Sequence, residues 1–519
     1  MAQDNLTSKQ SDYAVFLPAI SGFYATFIGK QRVNNDYVDP ARMPQALQDM
    51  EQFNWLNSQQ GLFPYRWSLY SGGHANLDLA KDDPSEDMVR KREPGTFMLG
   101  DSGGFQIAKG LWEGDWKANS GCAKAEKKRS AVLKWLDGIA DYGMILDIPT
   151  WVIHDKKASK ACGITTLEEA VDATKFNNLY FMQHRQGKNN GGAKFLNVLQ
   201  GDNHTSAEAW YQEMKEFCDP NKYPDTHFDG WAMGGQNMCD IHLVLKRLIA
   251  LKYDNLLQEG IHDWMHFLGT SKLEWAVLLT VIQRAVRKYV NPNFTISFDC
   301  ASPFLATANG QMYHSIDLPH DSKWSYRMSP SADDKKYATD TRLFRDAVLQ
   351  DAIFENFEDS PISQHLLIKD VCIYKPGDLN KNGKEGKTSW DSFSYAIMMG
   401  HNVWMHIESV QRANRKFDSG ERPAMLWNRQ GDHAKFEDIV EAIFAAPDQQ
   451  TANDIIDHYD SYWMNIIGTR GFKGKKTKNS NTMFNVLFET VEDSTDEEMS
   501  EEEEAENIMQ SHLEEPHEL

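Results

Sequence analysis

Short apolar runs that stop at a polar residue or a glycine recur along the first three hundred residues. The run 96–100 leads into Asp101, 143–146 into Asp147, 195–199 into Gln200, 231–233 into Gly234, 265–268 into Gly269 and 295–298 into Asp299. Runs this short and this apolar have the length of buried strands. Stretches with helical spacing lie between them, such as 130–141, 206–217, 239–251 and 272–289. In the last, Leu273, Ala276, Val277, Thr280, Val281 and Ile282 share one face. Strand followed by helix, repeated along the chain, predicts a parallel α/β fold. A (β/α)8 barrel and a doubly wound open sheet both present strand ends to a ligand, and the pattern alone leaves both open.

Beyond residue 320 the pattern changes. Residues 320–390 read as irregular, with turn-rich stretches at 329–331 and 375–383, while 391–416 and 434–468 read as helical. A basic, glycine-containing loop follows at 469–478. The expected organisation is a catalytic barrel with insertions over 1–415, a helical and basic extension over 416–490, and an acidic disordered tail over 491–519.

Charge sharpens this division. The 519 residues carry a formal charge of −21. Residues 491–519 alone hold 13 Asp and Glu and no Lys or Arg, which leaves the rest of the chain near −8. The tail reads as a solubilising, disordered segment. The acidity of the body lends no support to nucleic-acid binding, so any such surface has to be local. Six Cys are scattered without a CxxC pair, which fits a reducing cytoplasm. No run approaches a membrane span and the first residues lack a secretory apolar stretch, so a cytoplasmic protein without a membrane partner is expected. Neither a GxGxxG nor a Walker sequence occurs, which argues against nucleotide cofactors.

The candidate chemistry sits where the runs end. Asp101 precedes Ser102-Gly103-Gly104-Phe105-Gln106, and adjacent glycines let the backbone approach a ligand closely. Asp147 and Asp299 end two further runs. A carboxylate flanked by apolar residues is costly to bury unless it is paired or hydrogen-bonded, and three of them at three strand ends suggest one shared site.

These residues resemble the tRNA-guanine transglycosylases of the queuine type. The resemblance rests on 101–106, on Val198-Leu199-Gln200-Gly201, on Gly230-Trp231-Ala232-Met233-Gly234, on Phe267-Leu268-Gly269, and on Phe298-Asp299-Cys300-Ala301-Ser302-Pro303 followed by Ala308-Asn309-Gly310-Gln311. It extends from about 95 to 312, more weakly to 415, and covers neither 1–90 nor 416–519. It implies a (β/α)8 barrel and a two-step glycosyl transfer. Asp299 is then the nucleophile at C1′ and Asp101 the general acid and base. Asp147 would accept hydrogen bonds from the base. Gln200, with Gly201 and the backbone around Gly230 and Ala232, would read its other edge, beside the turn Ser102-Gly103-Gly104. Phe105 and Leu268 would stack on its faces. The target nucleotide has to be flipped out of its helix to reach such a pocket. The family commonly dimerises, which carries over the expectation of a homodimer.

The chain departs from the family at two places. The bacterial tRNA enzymes have Glu where this chain has Gly235, and that Glu helps the pocket take a cationic substituent on the base. Its absence points to a neutral one, such as the nitrile of 7-cyano-7-deazaguanine. Of the family's zinc ligands only Cys372 and His401 are matched, while Asp370 and Lys375 stand at the other two positions, so no zinc and no other cofactor is expected. These departures, with the unfamiliar ends, resemble the DNA 7-deazaguanine transglycosylases of phages and bacterial DNA-modification islands, whose product protects DNA from restriction. The expected partners are therefore DNA, with tRNA as the alternative, and a free 7-deazaguanine base. Arg470, Lys473, Lys475 and Lys476, with Lys124, Lys127, Lys128 and Arg129, are the candidate phosphate contacts. A non-catalytic subunit on the same fold, or a hydrolase using water as acceptor, are the competing readings. Retention of both Asp101 and Asp299 argues against the subunit.

Overall fold

The computed structural model describes residues 12–34, 43–187, 190–238, 240–308, 310–332, 334–372, 392–429 and 434–466. Eight parallel strands follow one another around a barrel: β1 (Val15–Pro18), β2 (Trp67–Ser71), β3 (Phe97–Asp101), β4 (Tyr142–Met144), β5 (Lys194–Leu199), β6 (Gly230–Met233), β7 (Trp264–Phe267) and β8 (Thr295–Cys300). Each strand from β2 to β7 pairs with the next, and β8 pairs with β1. The ring is joined between β1 and β2 by a parallel bridge from Ala19 to Leu69, where Ile20 N–H donates to Leu69 O at 2.9 Å. The architecture is the (β/α)8 barrel rather than the open sheet. Residues 12–71, where the resemblance finds nothing to align, supply β1 and β2.

The barrel is filled from the bottom. Trp264 lies 4.6 Å from Phe97 in a stacked arrangement, 5.4 Å from Tyr142 and 5.8 Å from Trp67, ring centre to ring centre. These four rings come from the first residues of β2, β3, β4 and β7, so they close the end of the barrel where the strands begin. Aromatic pairs of this kind add about 0.5–1.5 kcal/mol each beyond the area they bury. The opposite end is left to the polar residues at which the strands stop.

The helices of the outer ring owe their limits to local chemistry. Helix Leu167–His184 starts at Thr166, whose side chain accepts from Glu169 N–H, with Glu168 and Glu169 in its first turn. Helix His204–Met214 starts with a reciprocal capping box between Asn203 and Ser206, and Asp240 caps helix Ile241–Tyr253. Helix Leu273–Tyr289 is buried along most of its length, under helix Ser392–Asp418, which also touches β1 and helix Gly22–Val33. The long helix thus takes the eighth outer position, reached after an antiparallel hairpin of β9 (Gln311–Asp317) and β10 (Ser325–Pro330).

The stretch expected to be irregular holds part of this hairpin and a helix at Phe344–Gln350. Residues 373–391, with the turn-rich 375–383, fall outside the described residues. Helices Phe436–Ala445 and Gln449–His458 pack on the barrel. Lys252 Nζ donates to Phe444 O at 2.8 Å, and Lys246 Nζ meets Asp457 at 2.8 Å. Among the described residues no helix is long and apolar enough to cross a membrane.

Candidate active site at the strand ends

Asp299 is the penultimate residue of β8, and its side chain keeps 14% of its surface exposed. Its Oδ1 accepts from His266 Nε2–H at 2.9 Å and from Gly269 N–H at 3.1 Å. Among the described residues none donates to Oδ2. Among the described residues, then, one oxygen is fixed and the other keeps its lone pairs.

Asp101 ends β3 and is paired in register with Ser71, the last residue of β2. Ser71 Oγ–H donates to Asp101 Oδ2 at 2.7 Å, and Gly103 N–H lies 3.3 Å from Oδ1. Gly103 has φ +79°, which favours glycine and lets the turn fold back under the carboxyl. Burial pushes the Asp101 carboxyl up, against the pull of the Ser71 and Gly103 hydrogen bonds, and the charge on Asp299 pushes it further. The two side chains thus feel one another across the same end of the barrel.

Asp147 lies in the loop after β4. That loop is tied from behind by helix Leu167–His184: Thr174 Oγ1 accepts from Ile148 N–H at 3.0 Å, and Asn177 Nδ2–H donates to Leu146 O at 2.7 Å. Burial raises the Asp147 carboxyl to about 7, against a hydrogen bond from Gln200, and the charge on Asp101 contributes to the rise. Gln200 Nε2–H donates to Asp147 Oδ2 at 2.8 Å, so these two residues form a unit with the orientation of each set by the other.

Glycines make room around that unit. A Cβ on Gly104 would stand 3.2 Å from Asp147 Oδ1, and one on Gly234 would stand 2.8 Å from Gln200 Nε2 and 3.3 Å from Leu268 Cδ1. Gly104, Asp147, Gln200, Gly234 and Leu268 are thereby brought together. Gly230 is not. A Cβ there would strike Trp264 O and Leu196 Cδ2, so Gly230 and, above it, Ala232 lie lower in the barrel, and Gly234 occupies the level expected of them. Gly201 is packed against Ala207. Ser102 is buried, and its hydroxyl donates to Ile145 O at 3.0 Å, which makes it a tie between neighbouring strand ends rather than a ligand contact.

Gly235 has φ +55°, and a Cβ there would stand 2.6 Å from Gly201 O and 2.8 Å from Gln200 Oε1. No side chain fits at that position in this backbone.

At the rim, Phe105 is 41% exposed. Its ring centre lies 5.8 Å from that of Trp151, with Lys109 Nζ 5.3 Å from it. Nothing in their own stretches of chain singles out Ser71 and His266, which the barrel brings to Asp101 and Asp299, or Trp151, which it brings to Phe105.

The cationic candidates divide. Lys124 is exposed and meets Glu113 at 2.7 Å. Lys128 Nζ sits 4.8 Å over the Trp112 ring. Arg129, expected to be a phosphate contact, is 2% exposed and donates to Asn177 Oδ1 at 2.6 Å, so it belongs to the interior. Its helix turns that position inward between Phe176 and Trp116. Arg470, Lys473, Lys475 and Lys476 lie outside the described residues, as do Asn309 and Lys375.

His401 and Cys372, the two positions that match zinc ligands of the resembled enzymes, are engaged by other groups. His401 engages both ring nitrogens, Nδ1 with Ser360 Oγ at 2.8 Å and Nε2 with Tyr313 O at 2.7 Å. Cys372 Sγ lies 3.7 Å from Asp334 O. Among the described residues no group of three or more His, Cys, Asp or Glu is placed to hold a metal ion.

Compared with known protein families and with curated proteins, the chain matches no family model and no curated sequence.

Proposed function

We propose that the chain is a pentosyltransferase that exchanges guanine in DNA for a 7-deazaguanine through an aspartyl ester. The observation that carries the reading is a pair of strand-end carboxyls with different surroundings. Asp299 has one oxygen held and one open, and Asp101, coupled to it by charge, is pushed towards keeping a proton. This is the division of labour that retaining glycosyl transfer needs.

In the first step Asp299 Oδ2 attacks C1′ of a flipped nucleotide. The C1′–N9 bond breaks, its electron pair goes to guanine, and Asp101 gives that base its proton. In the second step the incoming base loses its N9 proton to Asp101, N9 bonds to C1′, and Asp299 leaves as a carboxylate. Asp147, when ionised, accepts from the N1–H and amine of the base, while Gln200 and the Gly234 backbone face its other edge. Gly235 leaves no anion to attract a cationic substituent, which favours a neutral one such as a nitrile.

The test uses double-stranded DNA carrying labelled guanine. Enzyme with 7-cyano-7-deazaguanine should release the label and incorporate the new base, and Asp299→Ala should release none. Exchange in tRNA but not in DNA would move the substrate to tRNA. Guanine release with no base incorporated would replace the transferase with a hydrolase.

A further inference from the structure

Asp299 stands at the end of a chain of hydrogen bonds that the two steps above leave unused. Trp264 Nε1–H donates to Ser297 Oγ at 2.9 Å, Ser297 Oγ lies 2.8 Å from His266 Nδ1, and His266 Nε2 lies 2.9 Å from Asp299 Oδ1. Ser297 and His266 have no exposed surface, and Trp264 is part of the aromatic floor. The chain therefore runs up the inside of the barrel from its packed base to its open carboxylate.

Counting protons gives its direction. An indole nitrogen only donates, so Ser297 Oγ is an acceptor towards Trp264 and has one proton of its own to give to His266 Nδ1. The imidazole proton then sits on Nε2. An ionised Asp299 only accepts, so it demands the same Nε2–H from the other end. Asp299 selects the tautomer, the Ser297 hydroxyl has the proton that answers it at Nδ1, and the two partners hold one ring orientation with a donor aimed at Oδ1.

Resting on the glycosyl-transfer reading, we propose that His266 is a positioning residue that governs how readily the aspartyl ester breaks. In that step the Oδ2–C1′ bond is cleaved and its electron pair returns to the carboxylate. The incoming N9 supplies the pair for the new C1′–N9 bond, and its proton goes to Asp101. The returning charge spreads over both carboxylate oxygens, and Oδ1 meets two fixed donors, His266 Nε2–H and Gly269 N–H. Such donors hold an anion more strongly than a neutral ester oxygen. His266 thus favours the free carboxylate over the adduct and eases its departure. Gly269 acts from the backbone; His266 is the half of the arrangement that a substitution removes.

The experiment mixes the full chain with a guanine-containing duplex, quenches in denaturant, and measures the covalently linked fraction. It then follows decay of that adduct when 7-cyano-7-deazaguanine is added. His266→Ala and His266→Asn should raise the adduct fraction and slow its base-triggered decay about tenfold or more. His266→Gln, whose Nε2–H reaches about as far as the imidazole Nε2–H, should restore most of the decay rate. Melting curves identify which variants are folded, and the Gln and Asn variants still decide the matter if Ala does not fold. Equal behaviour of Gln and Asn, or a folded Ala variant with wild-type partition and decay, overturns the proposal. If the wild-type protein forms no adduct on DNA or on tRNA, the glycosyl-transfer reading fails first and this inference falls with it.

Discussion

His266 and His401 are both sealed from solvent, the first in β7 beneath the carboxylates and the second in helix Ser392–Asp418 behind the β9–β10 hairpin. Both engage two ring nitrogens. At His401 the partners are Ser360 Oγ and Tyr313 O, and burial lowers the ring to about 4, so it stays neutral and the network closes on itself. At His266 the partners are Ser297 Oγ and Asp299, and the second of these keeps, at the mouth of the barrel, an oxygen that no described residue engages. Burial and hydrogen bonding do not distinguish a working polar group from a scaffolding one. What separates these two regions is whether the last group in the network is satisfied.

The largest test of that contrast is Asp299→Asn, which keeps the shape and removes the proposed nucleophile. Adduct formation should fall by about 10⁴-fold or more, read by denaturing gel or intact mass. Asp101→Asn should slow base exchange by about 10²–10⁴-fold in a single turnover, because only the proton transfer is lost.

Asp147 gives a pH test. Its carboxyl is raised to about 7, so between the ordinary carboxylate range and about 7 the folded chain holds a proton that the unfolded chain has released. This stabilises the fold at low pH and is lost as the pH rises to 7, an effect on the order of 4 kcal/mol that Asp147→Asn should remove from a pH series of unfolding curves. In the same window the affinity for the free base should weaken about tenfold per pH unit below 7, since the base requires the ionised acceptor.

His401→Ala should cost about 1–3 kcal/mol of stability, by leaving Ser360 and Tyr313 O without their partner, while the chemical step of the folded fraction stays unchanged. A change in that step would erase the distinction between the two histidines. The smallest effect is expected from Lys128→Ala, which should lower the salt slope of DNA binding by about one unit if that cation meets a phosphate.

Much of the barrel could be read along the chain because six apolar runs, one over each of β3 to β8, stop at a polar residue or glycine. β1 could not: Val15–Pro18 runs on into Ala19 and Ile20 with no polar stop. Helix Leu167–His184 was hidden for a related reason. Thr174, Asn177 and Asn178 are buried on its inner face, where the apolar period should be, because two of them hold the Asp147 loop. Arg129 looks like a surface cation in the sequence because a charged residue gives no sign of the rings awaiting it. The carboxylates were legible as strand ends. Their partners Ser71 and His266 were not, because a residue's neighbours across a barrel leave no mark in its own stretch of sequence.

The backbone at Gly235 has a consequence for how this pocket can change. Because main-chain atoms of the neighbouring loop fill the space any side chain would need there, the proposed base exchange could not be turned towards positively charged bases by one amino-acid replacement at this position. Such a shift in preference would require the two adjoining loops to be rebuilt together. If the site exchanges bases as proposed, its choice of substituent is written in the path of the chain, and a designer seeking to alter it should begin with loop geometry.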